Sequence, residues 1–573
     1  MKPVRLPASA TDALPRWSIF ALGLLYILPG LFGRDPWKTD DASGFGIMWT
    51  MAHGGIEDWL WPHIAGLPTP EEGPLAFWIG AVFIKLFGWL LGDPLAARMS
   101  SVLFFLLGSL SVWATTYLLG KRAEAQPLKL AFGGQPEAKD FGRTLADGAF
   151  LIFIGCLGLL LHSHETRAEA LQVSLVACSL YAAACQFQSG SWRSAAALGL
   201  TLGLLGLTRG YVMPVGLWTA LMFLAAFRDR PVLIRLTVST LPLMLAIVGA
   251  WVILTRLALP FNSSPINAWL EWNRTQVAMP SLVSAKFFLR YAIWFAWPAW
   301  PFAGWAVYAW RKHYKGLHIS LPLAFTAILV LLALINPREE EAILLPLLPG
   351  LAVLAAFGLP TMKRGAINAV DWFSVMTLST VAAFIWLGWI AKVTGWPPRL
   401  ARNALKLAPG FEPEFSTIAF VVAAAATIGW IVLVHWRISR RPSVLWRAVV
   451  LSSGGVILCW LLLTTLWMPW INYSKTYAGV ARQLAAKLPQ GDAIYCVDTN
   501  VSPAQRATFA YFGNVRFSGF DDEQCSYLLL QDRGYGKNDI ALFKRFGGKW
   551  RFLWEGRRPA DRAERYRLYK RIP

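Results

Sequence analysis

The chain has 573 residues, 56% of them hydrophobic and only 15% charged, with 30 Trp, 34 Phe and a formal net charge of +21. A soluble globular protein carries roughly 25% charged residues, so this composition excludes a chain solvated by water on most sides. The charge does not point to nucleic acid, because the basic residues stand in short clusters between apolar runs, the positive-inside pattern of membrane proteins.

Apolar runs able to cross a bilayer, ~17–25 residues each, recur at 17–32, 96–119, 147–163, 169–187, 194–208, 211–227, 233–255, 286–309, 319–335, 343–359, 370–391, 416–435 and 447–468, thirteen in all. The first lacks a small-residue cleavage site and precedes many more spans, so it reads as a retained helix rather than a signal peptide. A further run, 74–91, is apolar enough to be a fourteenth. If it crosses, every basic linker moves to the side opposite Lys2, Arg5 and Arg16; these are Lys121-Arg122 to Arg143, Arg193, Arg228 to Arg230, Arg311 to Lys315, Lys363-Arg364 and Arg437 to Arg447. If it does not cross, all of them share one side with the N-terminus, as the positive-inside rule requires. The run is therefore expected as a re-entrant or interfacial helix within a long outer loop, 34–95. The N-terminus is then cytoplasmic and the C-terminus outside.

Beyond about Asn472 the texture changes. Ala493 to Val497, Thr508 to Phe512, Tyr527 to Leu530, Trp550 to Trp554 and Tyr566 to Ile572 read as short strands between turns such as Pro-Gln-Gly and Gly-Tyr-Gly. Tyr477 to Leu488, with Val480, Leu484 and Leu488 on one stripe, reads as an amphipathic helix. The expected organisation is a transmembrane catalytic domain over 1–468 and a small soluble α/β domain over 469–573. The latter holds 18 Lys/Arg against 10 Asp/Glu, which suits a face toward anionic headgroups or an ordinary solvated surface. Cys156, Cys178, Cys185 and Cys459 fall inside apolar runs and read as small buried residues. Cys496 and Cys525 lie in the polar C-terminal part, where a disulfide between them is expected if that part is outside the cytoplasm.

Ionisable residues near bilayer depth are expensive and mark function by default. Here they collect at outer helix ends: Arg34-Asp35-Pro36-Trp37-Lys38-Thr39-Asp40-Asp41 after the first span, His162 to Glu169 after the third, Thr208-Arg209-Gly210 after the fifth, and Asn336 to Glu341 after the ninth. Carboxylates beside arginines suit a general base next to an anion pocket. Duller readings exist: Asp40 as the N-cap of a helix through Phe45 and Trp49, and Arg167 and Arg338 as snorkelling anchors. His53, His63, His162 and His164 show no metal-ligand spacing, so no metal is expected. No Gly-rich phosphate loop precedes a helix, so no nucleotide-sugar or ATP site is expected either.

The motifs in order are more specific than any one of them. Trp37-Lys38-Thr39-Asp40-Asp41, then Pro62-His63-Ile64-Ala65-Gly66, then Glu72-Gly73-Pro74-Leu75, then Arg167-Ala168-Glu169, Thr208-Arg209-Gly210 and Leu345-Pro346-Leu347-Leu348-Pro349 resemble the membrane glycosyltransferases of the GT-C class, in particular the bacterial aminoarabinose transferase and protein O-mannosyltransferase superfamily. The resemblance covers the order of motifs through about residue 350, and the terminal α/β domain has the size and place seen in the aminoarabinose branch. It implies a polyprenyl-phosphate-sugar donor and an acceptor nucleophile on the outer face; the thirteen apolar runs make the expected fold a polytopic α-helical membrane protein with a C-terminal soluble α/β domain, and no cofactor is expected. The resemblance maps the catalytic carboxylate to Asp40, with Asp41 beside it, and the second acid to Glu169. It maps the phosphate ligand to Arg209, and Arg167, His63 and Arg338 join the substrate side. The chain departs from the pattern at Glu72, where the superfamily has lysine, at Ser43-Gly44, where Arg-Tyr often follows the acidic pair, and at Ala342-Ile343, where a tyrosine is usual.

The expected activity is inverting sugar transfer to lipid A, lipopolysaccharide or another envelope glycan, on the periplasmic face of a bacterial inner membrane. The competing reading is a transporter or flippase of lipid-linked saccharides. A transporter is expected to show two related halves with interrupted spans, and no internal repeat is visible. A non-catalytic envelope-assembly protein does not need so many spans or acids at several outer helix ends.

Overall fold

A computed structural model describes residues 4–12, 14–37, 40–129, 131, 133–259, 264–439, 445–489, 495–519, 525–532, 549–561 and 564–572. Lys38 and Thr39 of the first motif, the strand residues Ala493 and Ile494, and the turns at 490–491 and 534–536 lie outside the described residues. The protein is a polytopic α-helical membrane protein with a small C-terminal α/β unit. Among the described residues, eight helical stretches are long and apolar enough to cross a membrane: Asp93–Gly120, Ala168–Ser189, Arg230–Ala258, Leu317–Ile335, Glu341–Thr361, Gly365–Thr394, Thr417–Ile438 and Val449–Leu466. Leu75–Leu91 and Val212–Ala226 are shorter apolar helices.

Several apolar runs differ from unbroken spans, each for a local reason. The first helix stops at Ile27 because Pro29 and Gly30 follow. Gly30 takes a positive φ of 90°, and the Trp460 indole donates to the Pro29 carbonyl at 2.9 Å. The run 286–309 is two helices, Leu282–Phe295 and Ala299–Ala309, divided at Pro298, which has no N–H to continue the ladder. The run 147–163 likewise breaks at Gly155-Cys156, between Ala138–Ile154 and Leu157–His162. The two breaks complete each other: the Leu157 N–H donates to the Trp297 carbonyl at 3.2 Å, satisfying a backbone group the interruption would have orphaned.

Contacts sort the loops to two ends. At one end the N-terminal segment meets the basic linkers: Leu128 N–H donates to the Val4 carbonyl, Leu445 N–H to Ala10, and the Trp446 indole to Asp12. Glu124 accepts from Leu317 N–H at 2.7 Å, and Arg228 donates to Ser320 Oγ at 3.1 Å. Helix Asp93–Gly120 runs from there to the other end, where Arg98 donates to the Arg34 and Asp35 carbonyls, both at 2.8 Å. Leu75–Leu91 starts at this second end too, since the Gly73 N–H just before it bonds the Thr208 carbonyl at 2.8 Å.

The C-terminal sheet has the order β3-β4-β6-β5, with β3 (Val497–Thr499) parallel to β4 (Tyr527–Asp532) and β6 (Arg565–Ile572) antiparallel to both β4 and β5 (Lys549–Gly556). A two-stranded hairpin, β1 (His63–Ile64) with β2 (Leu67–Pro68), lies earlier in the chain. The stripe expected on an amphipathic helix forms one, Ala478–Ala485, with Val480 and Leu484 buried. Thr508 to Phe512 is not a strand; it lies in the helix Pro503–Gly513. The deciding signal is local: Ser502 and Gln505 form a reciprocal capping box and Pro503 stands at the first helical position, which outweighs a short β-type run. This helix packs on Asp40–His53 through Tyr511 against the edges of Phe45 and Trp49, and Arg506 donates to the Ala65 carbonyl at 2.6 Å.

Candidate active site

The helix starts and loops at this second end, with the edge of the C-terminal unit, enclose a cavity of about 1020 Å³. Four segments of the helical body converge on it. Asp40 opens helix Asp40–His53, and Arg167 and Glu169 stand at the start of helix Ala168–Ser189. Arg209 lies in the turn between Trp192–Gly206 and Val212–Ala226, and Arg338 and Glu340 follow helix Leu317–Ile335. Ser502 to Gln505, Gln531, Asp561 and Glu564 close the remaining side.

Small residues permit the convergence. A Cβ on Gly44 would stand 1.7 Å from the Thr166 oxygen, and one on Gly73 2.2 Å from the Leu207 oxygen. The departure at Ser43-Gly44 thus has a packing reason, since it lets the Asp40 helix press on the backbone that presents Arg167.

The charged groups form one chain of contacts. Arg167 Nη2 is 3.0 Å from both Asp40 Oδ2 and Glu169 Oε1, and its Nη1 is 3.6 Å from Glu165. Glu169 Oε1 also receives Arg209 Nη1 at 2.7 Å. Arg209 reaches Glu340 at 3.9 Å and Glu72 at 4.0 Å. Trp272 lies under both Arg209 and Arg338, with the guanidinium carbons 5.5 and 5.2 Å from its ring, a cation–π platform that holds two cations side by side. Among the described residues the Arg338 guanidinium has no ion pair.

Eight carboxylates and three arginines are among the described residues that line the cavity; Arg558 takes Asp561 and Glu564, and the remaining acids share the three arginines. Glu72 shows the result: burial first, and then the neighbouring Glu169 and Glu71, push its carboxyl well above the ordinary range, with Arg209 opposing. Asp40 moves the same way, more mildly, as enclosure by the cavity walls outweighs Arg167. Its side chain remains 59% exposed and lines the cavity, with one contacting cation among the described residues.

The sequence-derived site residues therefore separate. Asp40, Glu169, Arg167, Arg209 and Arg338 all line one cavity. Asp41 points the other way. Its side chain is 1% exposed, lies 3.3 Å from Arg98 and 3.8 Å from Arg34, and accepts from the Thr166 N–H at 2.9 Å. Burial opposes its charge, but the two arginines and Thr166 hold its carboxyl well below the usual range. It braces the loop rather than facing the cavity. His63 is likewise outside the cavity lining: its Nε2 is 2.7 Å from Asp58 and its Nδ1 accepts from the Gly66 N–H at 3.1 Å, so the ring organises the β1–β2 turn. The cavity adds Glu71, Glu72, Glu340 and the Ser502–Gln505 edge, of which Glu72 stood out in sequence as a departure and Glu340 as part of the Asn336 to Glu341 cluster. Outside the cavity lining, Cys496 and Cys525 form a disulfide where β3 and β4 begin.

This helical body with one C-terminal α/β unit has the GT-C fold, in its ArnT-like form. Among solved structures the chain is similar to ArnT from Cupriavidus metallidurans bound to undecaprenyl phosphate, at 15% identity over 97% of this chain and 98% of that one, with a TM-score of 0.66. It is similar as well to the apo state of the same protein, at 15% identity over 97% and 96%, with a TM-score of 0.61. At such identity the likeness is one of fold. No sequence-family profile matches the chain, and no curated protein matches it in sequence.

Proposed function

We propose that the protein is an inverting glycosyltransferase. It moves a sugar from a polyprenyl-phosphate donor to a hydroxyl or similar nucleophile of an envelope acceptor, such as lipid A, lipopolysaccharide or another glycan. The observation that carries this reading is Asp40, an accessible carboxylate with a single contacting cation among the described residues, in the same cavity as the arginine pair on Trp272. The fold likeness adds that ArnT, in a structure of this fold, is bound to undecaprenyl phosphate.

In this reading Asp40 takes the acceptor's proton as its oxygen attacks the anomeric carbon opposite the phosphate, which inverts that centre. The raised basicity of its carboxyl favours the task. Arg338 and Arg209 receive the phosphate through charge-assisted hydrogen bonds and stabilise the charge that develops as it leaves. Glu169 holds Arg167 and Arg209 in place. The C-terminal residues 469–573 act as a periplasmic domain that walls one side of the cavity, and residues 1–468 form the catalytic body. The gathering of the N-terminal segment and basic linkers at the end away from Asp40 favours a cytoplasmic N-terminus and a periplasmic site in a bacterial inner membrane.

The test is sugar transfer by detergent-extracted protein from purified polyprenyl-phosphate donors, with mass spectrometry of envelope glycolipids in cells with and without the protein. A missing glycoform restored by the parent gene is the expected result; an unchanged envelope and no transfer from any donor would sink the reading. Alkaline phosphatase fused after Leu488 should be active and a fusion within 125–140 inactive, and the reverse pattern overturns the orientation.

A further inference from the structure

Glu72 is one of the cavity carboxyls that the transfer chemistry above leaves without a task. It sits in the loop before helix Leu75–Leu91, fixed by the Gly73 N–H bond to Thr208. Its side chain is 16% exposed and lies 4.0 Å from Arg209 Nε. Its Oε2 is buried and has no hydrogen-bond partner among the described residues. A buried carboxylate oxygen without a donor is costly, whereas a carboxylic acid O–H can itself donate to an acceptor brought into the cavity.

The groups facing it make the neutral form the cheaper one. Arg209 comes from the turn before Val212–Ala226, Arg167 and Glu169 from the start of Ala168–Ser189, Glu71 from its own loop, and Glu340 from beyond Leu317–Ile335 by way of Arg209. Both nearby cations are already engaged, Arg209 with Glu169 at 2.7 Å and Arg167 with Glu169 and Asp40 at 3.0 Å. Burial and the like charges of Glu169 and Glu71 accordingly raise its carboxyl far above the usual range, against the pull of Arg209 and Arg167.

We infer that Glu72 enters the reaction as a neutral carboxylic acid, donates a hydrogen bond to the phosphate of the sugar donor and passes that proton to the phosphate as the bond to the sugar breaks. This rests on the glycosyl-transfer reading of the same cavity. The step balances. The acceptor oxygen bonds to the anomeric carbon, the bond from that carbon to the phosphate oxygen breaks with its electron pair going to the phosphate, the acceptor's proton goes to Asp40 and the Glu72 proton goes to the phosphate. The products are the glycosylated acceptor and the polyprenyl hydrogen phosphate, and both carboxyls reset by proton exchange with water. A lysine at this position would attract the phosphate at every physiological pH. The glutamic acid helps only while protonated, so donor handling becomes sensitive to pH.

The experiment measures binding of undecaprenyl phosphate to the detergent-purified full chain between about pH 5 and about pH 9, for the parent, Glu72→Gln and Glu72→Lys, with sugar transfer followed in parallel. Titration of the lipid's own phosphate is common to all three, so the ratios between them carry the answer. The parent should match Glu72→Gln at low pH and then lose affinity relative to it by up to ~10-fold per pH unit once Glu72 ionises. Glu72→Lys should bind most tightly at the alkaline end. Glu72→Gln can donate a hydrogen bond but not a proton, so its kcat should fall ~10²-fold or more with the donor KM at low pH nearly unchanged. Parent and Glu72→Gln profiles that run parallel, together with transfer by the parent, overturn this inference alone. A parent that neither binds undecaprenyl phosphate nor transfers sugar overturns the proposed function and this inference with it. Should Glu72→Gln fail to fold, as a thermal melt would show, Glu72→Lys against the parent carries the same comparison, and identical pH profiles for those two overturn the inference.

Discussion

Asp40 and Asp41 begin the same helix and each faces arginine, yet the two regions they belong to are built on opposite plans. Around Asp41 the carboxylate is enclosed: Arg34 and Arg98 supply charge, Thr166 supplies its N–H and hydroxyl, and the side chain is 1% exposed. Around Asp40 the pairing is incomplete, with Arg167 on one oxygen and the cavity on the other side. The same contrast separates the cavity arginines, since Arg209 is engaged by Glu169 while Arg338 rests on Trp272 with no carboxylate contact among the described residues. Residue type marks both regions as polar and costly. What distinguishes support from chemistry is the bonding capacity left over when the protein's own partners have been counted.

The largest expected effect comes from Asp40→Asn. Asp40 is exposed and Arg167 keeps Glu165 and Glu169 as partners, so the melt should stay close to the parent value, while transfer should fall ~10²–10⁴-fold because the amide cannot take a proton. A variant that melts normally and transfers at the parent rate would remove Asp40 from the chemistry and erase the contrast with its neighbour.

Asp41→Asn tests the other side. Removing the charge leaves Arg34 and Arg98 buried with too little to balance them, a change that typically costs ~3–5 kcal/mol. The effect should appear first as a lowered thermal midpoint in detergent. The pH dependence has a definite sign: a carboxyl whose pKa is depressed by folding contributes fully above about pH 4, its unfolded range, and progressively less below it. The gap between parent and Asp41→Asn should therefore narrow as pH falls below about 4. A parent-like melt with lost transfer would instead give Asp41 a direct part in the reaction.

Much of this arrangement is legible in sequence because the cavity residues come from helix ends joined by short motifs. Asp40, Arg167-Ala168-Glu169 and Thr208-Arg209-Gly210 each need only a helix to start or stop where the apolar run does. The division of labour between Asp40 and Asp41 is not legible in the same way. It depends on Arg98, 57 residues away, and Thr166, 125 residues away, which no local pattern couples to the acidic pair. His63 fails for the same reason at shorter range, since the Asp58 partner becomes visible only once the β1–β2 turn folds back. The misread strand at Thr508 to Phe512 is different: Ser502-Pro503-Ala504-Gln505 is a readable helix start, and it should outrank five β-type residues. The broken spans carry readable signals as well, Pro298 and Gly155 among them, but hydropathy averages over both.

The disulfide offers a control outside both regions. Cys496–Cys525 closes a loop with a sequence separation of 29, for which chain entropy suggests ~3–4 kcal/mol. Cys496→Ser should loosen the C-terminal unit, seen as faster limited proteolysis near β3 and β4, with most of the transfer activity retained. Non-reducing peptide mapping of the parent should recover the two cysteines linked, and recovery of both as free thiols would retire the bond.

The smallest effects should come from the two cations on Trp272, and they sharpen the comparison most finely. Among the described residues Arg338 has no carboxylate to abandon, so Arg338→Ala should weaken donor binding by ~10-fold or somewhat more, the scale of one charge-assisted hydrogen bond of ~1.5–3 kcal/mol, and leave the melt unchanged. Arg209→Ala removes a partner that Glu169 uses at 2.7 Å, so donor affinity and melting temperature should fall together. Arg209→Lys should recover part of both, because an ammonium keeps the charge near Glu169 but cannot bind phosphate through two parallel donors. The measurements are donor-lipid titration and a thermal melt on the same preparations. If Arg338→Ala lowers the melt and Arg209→Ala does not, the assignment of spare and engaged cations is reversed. If neither changes donor affinity, the phosphate does not sit over Trp272, and Arg209 serves only to hold Glu169 and the loop around it.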